Sequence, residues 1–349
     1  MTISHALAVR SDHSIGESIM QIDFIVDKAK ELGFSTVALT DTMTVSGVVP
    51  FTNRCLKQGI KPVTGCTLRV YQDPLYRKPK KSSGEVEKDN PFYQLKVYVK
   101  SDNGFKSLMK LLSKGNSAEY FYYHSRVGID DVMDLEDVVV TTGDLFNLFH
   151  SRDHLEILER LSSKFETFVE ISPINTPLFD TLNEKAINAA RKTGCRLLAT
   201  YPFFYGSPED AGALDVLRAI AINAKMSDVW LPRPYTRDWS FASPETLAVR
   251  MLELSKRLGM TREEVKQSLR SPGELVDACQ YRFEKQEPSL PKMAEDEFAK
   301  LIEECKNGWR ERFSLPVLGH KPDSRELLVY KERLAYELGV LQKLGFANY

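Results

Sequence analysis

No CxxC pair occurs in this sequence: its five cysteines, Cys55, Cys66, Cys195, Cys279 and Cys305, are scattered. That scatter argues against a zinc ribbon and against a disulfide framework, and makes reduced cytoplasm the expected compartment. No run of about 18 apolar residues is present, and the opening MTISHALAVRSDHS lacks the apolar stretch of a secretion signal. The sequence therefore predicts neither export nor a membrane span. A basic excess is missing too, with 47 Lys and Arg against 48 Asp and Glu. Counterion release alone cannot then hold a phosphate backbone, so any DNA contact must be local or made by a neighbouring domain.

What remains is an ordinary globular composition, 42% hydrophobic and 27% charged, in 349 residues. That length suits one large α/β domain with a smaller piece attached. Over the first 220 or so residues a short β-branched run followed by an amphipathic stretch closed by Gly recurs, the mark of βα units around a parallel sheet or barrel. ALAV (6–9) reads as a strand, and 18–32 as a helix that Ser18 could cap and Gly33 stops. Further strands are expected at 35–40, 61–72, 92–100, 137–142, 167–172 and 196–200, with helices near 45–58, 102–114, 153–162 and 178–193. Residues 77–91, RKPKKSSGEVEKDNP, read as an exposed charged loop. Beyond about 225 the β-branched runs vanish and proline-marked helical stretches follow, TREEVKQSLR and PGELVDACQ among them. The two prolines of EPSLPKM (287–293) predict an extended linker. The expected division is a barrel core at 1–225, a helical extension closing it at 226–286, and a linker with a further segment at 287–349.

Several stretches, in order, resemble one family. VRSDHSIGES, LGFSTVALTDTMTVSGVVPFTNRCLKQGIKPVTGC and FYQLKVYVKSDNGFKSLMKLLSKGNS are similar to the PHP (polymerase and histidinol phosphatase) domain of bacterial-type DNA polymerase III alpha subunits. RVGIDDV, CRLLATYPFFYGSPEDAGALDVLRAI and the terminal YKERLAYELGVLQKLGFANY extend the resemblance over nearly the whole chain. It implies an α/β fold, a distorted (β/α)7-like barrel of the PHP type, followed by a helical segment that begins the polymerase palm.

The resemblance also implies a metal site, because PHP proteins cluster His, Asp and Glu at strand ends to hold divalent ions that activate water against a phosphoester. Here the His-x-His of the first strand is Ala8 and Arg10, Thr-Asp-His is Thr40, Asp41 and Thr42, and Gly-Cys-Glu ends in Thr67. Gln94 stands for a histidine of the fourth strand, and the late Asp-x-His becomes Pro202, Phe203 and Phe204. Asp41 alone survives as a ligand candidate, and one carboxylate does not offset the dehydration of a divalent ion. The expectation is a relic pocket with no metal and no catalytic residue, Arg10 pairing Asp41 or Glu17, and Phe203 and Phe204 filling space. His13 lies just beyond the first motif but reads as packing or surface, and His150 and His154, spaced i, i+4 on a helix face, lack the glutamate of HExxH.

No Asp-x-Asp pair near a Gly-Arg-Gly-Ser follows, so nucleotidyl transfer by this chain alone is not expected and Mg2+ belongs to the absent palm. The resemblance implies a structural scaffold in DNA replication, with the remainder of the polymerase, in the same or a second chain, and a proofreading exonuclease as partners. The stop at Tyr349 suggests a truncated chain or a split gene. DNA would be touched weakly or through partners, and no membrane is involved. The alternatives are a metal-dependent PHP phosphoesterase or 3'-5' exonuclease with residual activity, and a decoy or regulator of a host replisome.

Overall fold

The computed structural model describes residues 4–79, 89–228, 239–284, 291–313, 319–320 and 322–349. The chain divides into two compact units, 1–283 and 284–349. In the first, one eight-stranded sheet runs in the order β7-β6-β5-β4-β3-β2-β1-β8. Its strands are β1 His5–Val9, β2 Thr36–Leu39, β3 Lys61–Tyr71, β4 Phe92–Val99, β5 Val138–Thr141, β6 Glu166–Ile171, β7 Arg196–Ala199 and β8 Pro202–Phe203. The two edge strands β7 and β8 are separated along the chain only by Thr200 and Tyr201, so the sheet must curl until its edges approach.

The inside of the curl is a packed core. Leu7, Ala38, Val63, Tyr98, Val139, Phe168 and Leu198, one from each of β1 to β7, form a single buried cluster. The Tyr98 hydroxyl on β4 donates to the Leu7 carbonyl on β1 at 2.9 Å, crossing the interior. The fold is a distorted α/β barrel followed by helices.

Strand direction departs from the all-parallel sheet the rhythm predicts. β4 runs antiparallel to both β3 and β5, while the other pairings are parallel. No helix lies between β3 and β4 among the described residues, and without a helical crossover the returning strand pairs in the opposite sense. Of the predicted 77–91 loop, residues 80–88 lie outside the described residues, as do 287–290 of the predicted 287–293 linker.

Helices α1 Ile22–Glu31, α2 Val48–Gln58, α3 Asp102–Gly115, α4 Ile129–Met133, α5 His154–Lys164, α6 Pro177–Thr193 and α7 Ala211–Ala221 accompany the strands. Local chemistry sets their ends: Ser101 caps α3, and Thr176 caps α6 ahead of Pro177, with Gly194 closing it in the left-handed region. The predicted Ser18 cap is not formed. α1 starts at Ile22, and the Ser18 hydroxyl instead lies 2.7 Å from the Arg10 carbonyl and 3.1 Å from that of Phe204, tying the β1 end to the β8 segment. His150 and His154 do not share a helix, because a short 3-10 turn, Leu148–His150, ends before α5 begins.

α8 Pro244–Arg257 and α9 Arg262–Ala278 close the first unit. The break predicted at Pro272 is absent: α9 runs through it, although the proline removes one helical hydrogen bond. Its last turns are anchored, since Leu275, Val276 and Cys279 join the interior barrel cluster and plug one end of it. Lys61 Nζ donates to the Val276 carbonyl at 2.7 Å and Gln280 N–H to the Lys100 carbonyl at 3.2 Å, fixing the plug to β3 and β4. In the second unit, helix α10 Glu297–Arg312 and a final helix, Ser324–Leu344, share an aromatic cluster of Trp309, Phe313 and Tyr330. Among the described residues neither helix buries a side chain fully, and Leu328, Val329, Tyr336, Leu344 and Phe346 stay more than half exposed. No helix among the described residues is long and apolar enough to cross a membrane.

Candidate functional site

The barrel end opposite the α9 plug collects polar side chains. Parallel strands deliver residues from their C-terminal ends, and the reversed β4 delivers its N-terminal half, so Thr67, Lys96 and Thr141 sit side by side in adjacent strands. Arg10 follows β1, Asp41 follows β2, Asp144 follows β5, Glu170 lies in β6 and Thr200 follows β7.

Arg10, Lys96 and Asp144 have side chains with no solvent exposure, and Glu170 has 1%. Arg10 grips Asp144 with both terminal nitrogens, at 2.9 and 3.0 Å, and also reaches the Thr67 hydroxyl at 3.2 Å. Its guanidinium lies 5.0 Å above the centre of the Phe204 ring, which packs in turn against Trp239. The Lys96 ammonium bridges two carboxylates, Glu170 at 2.7 Å and Asp144 at 3.2 Å. Thr141 and Thr200 donate their hydroxyls to Glu170, the latter at 2.7 Å. Burial alone would raise the Asp144 carboxyl, but the Arg10 and Lys96 charges outweigh it and hold Asp144 well below the usual carboxylate range. Burial alone would lower Arg10, but Asp144, with Glu17 and Asp41 behind it, outweighs that effect, so its affinity for its proton rises further.

Asp41 is held separately. It accepts hydrogen bonds from the Ser11 N–H and hydroxyl, both at 2.7 Å, and from the Ser14 hydroxyl at 2.6 Å. Burial nevertheless pushes its carboxyl upward against those bonds. Arg10 lies 3.5 Å from Glu17, which Arg69 and the Thr42 hydroxyl also contact, at 2.6 and 2.5 Å. Of the two anions read from the sequence, Glu17 is therefore within ion-pair reach of Arg10, whereas Asp41 is engaged by serines. The strongest partner of Arg10, Asp144, was not read from the sequence at all.

The other positions are placed as follows. Ala8 and Thr67 are fully buried in β1 and β3, Ala8 beside Pro202 in the β1–β8 pairing. Gln94 is buried in β4, its N–H donating to the Phe146 carbonyl at 2.6 Å and its side-chain oxygen unpartnered. Phe203 stacks on Phe241 with centroids 4.5 Å apart. The structure brings Arg10, Thr67 and Phe204 into one contact group and leaves Ala8 and Pro202 as backbone of the wall. Outside them a cleft of about 590 Å³ opens, lined by His13, Glu17, Thr42, Arg69, Phe121 and His124 among others. His13 is on the surface there, bonded to Ser46 at 2.8 Å.

These side chains do not suit a divalent ion. A hydrolytic centre needs several anionic or imidazole donors free to face the metal, and here the two interior carboxylates already face a guanidinium and an ammonium. Among the described residues no group of three or more His, Cys, Asp and Glu side chains is arranged to hold one. Sequence reading missed Lys96, Asp144 and Glu170. A signal was present for two of them, since Lys96 and Glu170 put charge inside otherwise apolar strands, FYQLKVYV and ETFVEI.

The PHP domain family model matches residues 6–176. The DNA polymerase III subunit alpha of Yersinia pestis is 27% identical over 357 residues, covering 99% of this chain and 30% of that protein. The DNA polymerase III subunit alpha of Aquifex aeolicus is 26% identical, with 98% and 30% covered. This chain thus spans about 30% of the length of these relatives. Among solved structures, a protein of Bifidobacterium adolescentis described as a metal-dependent phosphoesterase is a distant likeness, with a TM-score of 0.42, 9% identity, and 72% of this chain and 96% of that one covered. Residues 6–176 are a PHP domain, in a chain related along nearly its whole length to bacterial DNA polymerase III alpha subunits.

Proposed function

We propose that this chain is a non-catalytic PHP barrel serving as a scaffold in DNA replication, inside a polymerase of the DNA polymerase III alpha type. One observation carries the reading: at the barrel end where a PHP protein would hold water-activating ions, Arg10 and Lys96 stand ion-paired to Asp144 and Glu170, out of contact with solvent. Such an interior offers no nucleophilic water and no open coordination position.

The partners are the remainder of the polymerase, which would bring its own Mg2+, and a proofreading exonuclease docked on the PHP domain, in the cytoplasm. The exposed apolar residues of the final helix, outside the PHP domain, supply a surface of the kind the remainder of the polymerase would cover. DNA held by this chain alone is weak and salt-sensitive, because net charge −1 provides no phosphate-neutralising excess. The test is to assay the purified chain for primer extension and for Mn2+- or Zn2+-dependent phosphoester hydrolysis, then for complex formation with the rest of the polymerase and with the exonuclease. The expected result is neither activity, together with binding at micromolar or tighter affinity. Metal-dependent hydrolysis would instead support a residual phosphoesterase, and the single change Arg10→His is expected not to create one.

A further inference from the structure

A second cleft shares no lining residue with the one beside His13. Its volume is about 640 Å³, within the range of small-molecule sites, and it forms where the end of β3 and the start of β4 meet the start of α5. Tyr71, Phe92, Ile129 and Ile157 give it an apolar lining, the first two with rings stacked 5.2 Å apart. Charges of both signs share that lining, Arg152 and Arg160 with Asp89, Asp153 and Glu156. Arg160 is paired to Asp130 at 2.5 Å, whereas Arg152 and the three carboxylates have no ion-pair partner among the described residues.

Tyr93 of β4 also lines this cleft. It is 6% exposed, and its hydroxyl has no hydrogen-bond partner among the described residues. The next residues on the same face of β4, Leu95, Val97 and Val99, are apolar core, and a phenylalanine at 93 would avoid the cost of an unpartnered phenol. Burial raises the phenol above its ordinary value, so the group stays protonated and donates; the charges acting on it, Arg160 and Asp153, both line the cleft and place the hydroxyl on its α5 side. A second set of donors stands there, because α5 begins at His154 with no side-chain cap and leaves its first-turn N–H groups unsatisfied. We propose that this cleft binds a small zwitterion with an apolar side chain, of the α-amino acid class. The carboxylate accepts from the Tyr93 hydroxyl and the start of α5 with Arg152 beside it, the ammonium faces Glu156 and Asp89, and the side chain lies against the apolar lining. Three carboxylates in the same lining disfavour a phosphate or any other multiply charged anion. This binding function is separate from the scaffold role and does not rest on it.

The test is calorimetric titration of the full chain with L-phenylalanine and with L-leucine. At least one should bind as a single equivalent. The phenylalanine analogues 3-phenylpropionate and phenethylamine, each lacking one of the two charges, should bind at least about tenfold more weakly than L-phenylalanine. Tyr93→Phe should weaken amino acid binding about fivefold without lowering the thermal midpoint, because the lost hydroxyl has no partner in the unliganded protein. Should Tyr93→Phe fail to fold, Glu156→Gln at an exposed position carries the measurement through the ammonium contact and should weaken binding likewise. Heat from neither amino acid, unchanged affinity in the variant, or either analogue binding as tightly as L-phenylalanine would overturn the proposal. So would tighter binding of adenosine, which would assign the cleft to a nucleoside instead.

Discussion

Arg10 and Asp144, 134 positions apart in sequence, meet in a two-pronged ion pair of 2.9 and 3.0 Å with neither side chain touching solvent. The pair joins the end of the first strand to the turn after the fifth, and it does so where no solvent can replace a lost partner.

Breaking it from one side should therefore be costly. Arg10→Met leaves Asp144 with Lys96 as its remaining cation, and a loss of about 3–5 kcal/mol is expected for an uncompensated buried charge. Asp144→Asn strands the guanidinium and should cost a similar amount. Arg10→Met combined with Asp144→Leu should cost clearly less than the sum, a coupling readable from denaturant unfolding of the four proteins.

Acid should act through the same carboxylate. The folded-state pKa of Asp144 is depressed by Arg10 and Lys96 despite burial, so the stability it contributes is whole above the unfolded carboxylate value of about 4 and is lost as pH falls below it. Asp41 has the opposite sign: its raised pKa makes the folded state bind a proton first, giving a small gain on acidification just above the ordinary carboxylate range. Denaturant midpoints measured against pH should show the low-pH loss in wild type and its attenuation in Asp144→Asn.

The turn that delivers Asp144 depends on Gly143. Its φ is +80°, and a Cβ there would sit 2.3 Å from the Gln94 carbonyl oxygen. Gly143→Ala should consequently destabilise by more than the about 1 kcal/mol of backbone strain alone, measured as a lowered unfolding midpoint, whereas Gly194→Ala, with open space around its Cβ, should cost only the strain.

Thiol chemistry should report on the α9 plug. Burial pushes Cys55, Cys66 and Cys279 up to about 12, while Cys195 and Cys305 are only half-buried. Native protein should therefore expose two fast thiols to an aromatic disulfide reagent, and all five after denaturation. Cys279 should become fast when α9 is loosened by Leu275→Ala, since both residues belong to the barrel interior.

The same plug sets where the chain can be cut. A protein ending at 284 should stay cooperative, because the first unit ends at Phe283. One ending at 225 removes Leu275, Val276 and Cys279 from the interior cluster, and should aggregate or bind a hydrophobic dye. Gel filtration and thermal unfolding of the two fragments distinguish the outcomes.

By itself the sequence determined the elements and the kind of fold. β-branched runs, amphipathic stretches and Gly stops placed the strands and most helices, because local periodicity and capping act over a few residues. Motif order carried the family, and the resemblance marked Ala8, Arg10, Thr67, Gln94 and Phe204 as the positions that differ from the residues of a PHP metal site. Ser18 and Pro272 mark the limit of that reading. Each carries a strong local preference that packing overrode, Ser18 by bonds to two distant carbonyls and Pro272 by the docking of α9 inside the barrel. Only tertiary structure decided the reversal of β4, and with it the height at which Lys96 enters the interior. Only tertiary structure could pair Arg10 with Asp144 and Lys96 with Glu170, because contacts between strand ends 134 and 74 positions apart depend on how the sheet curls, which no local pattern encodes.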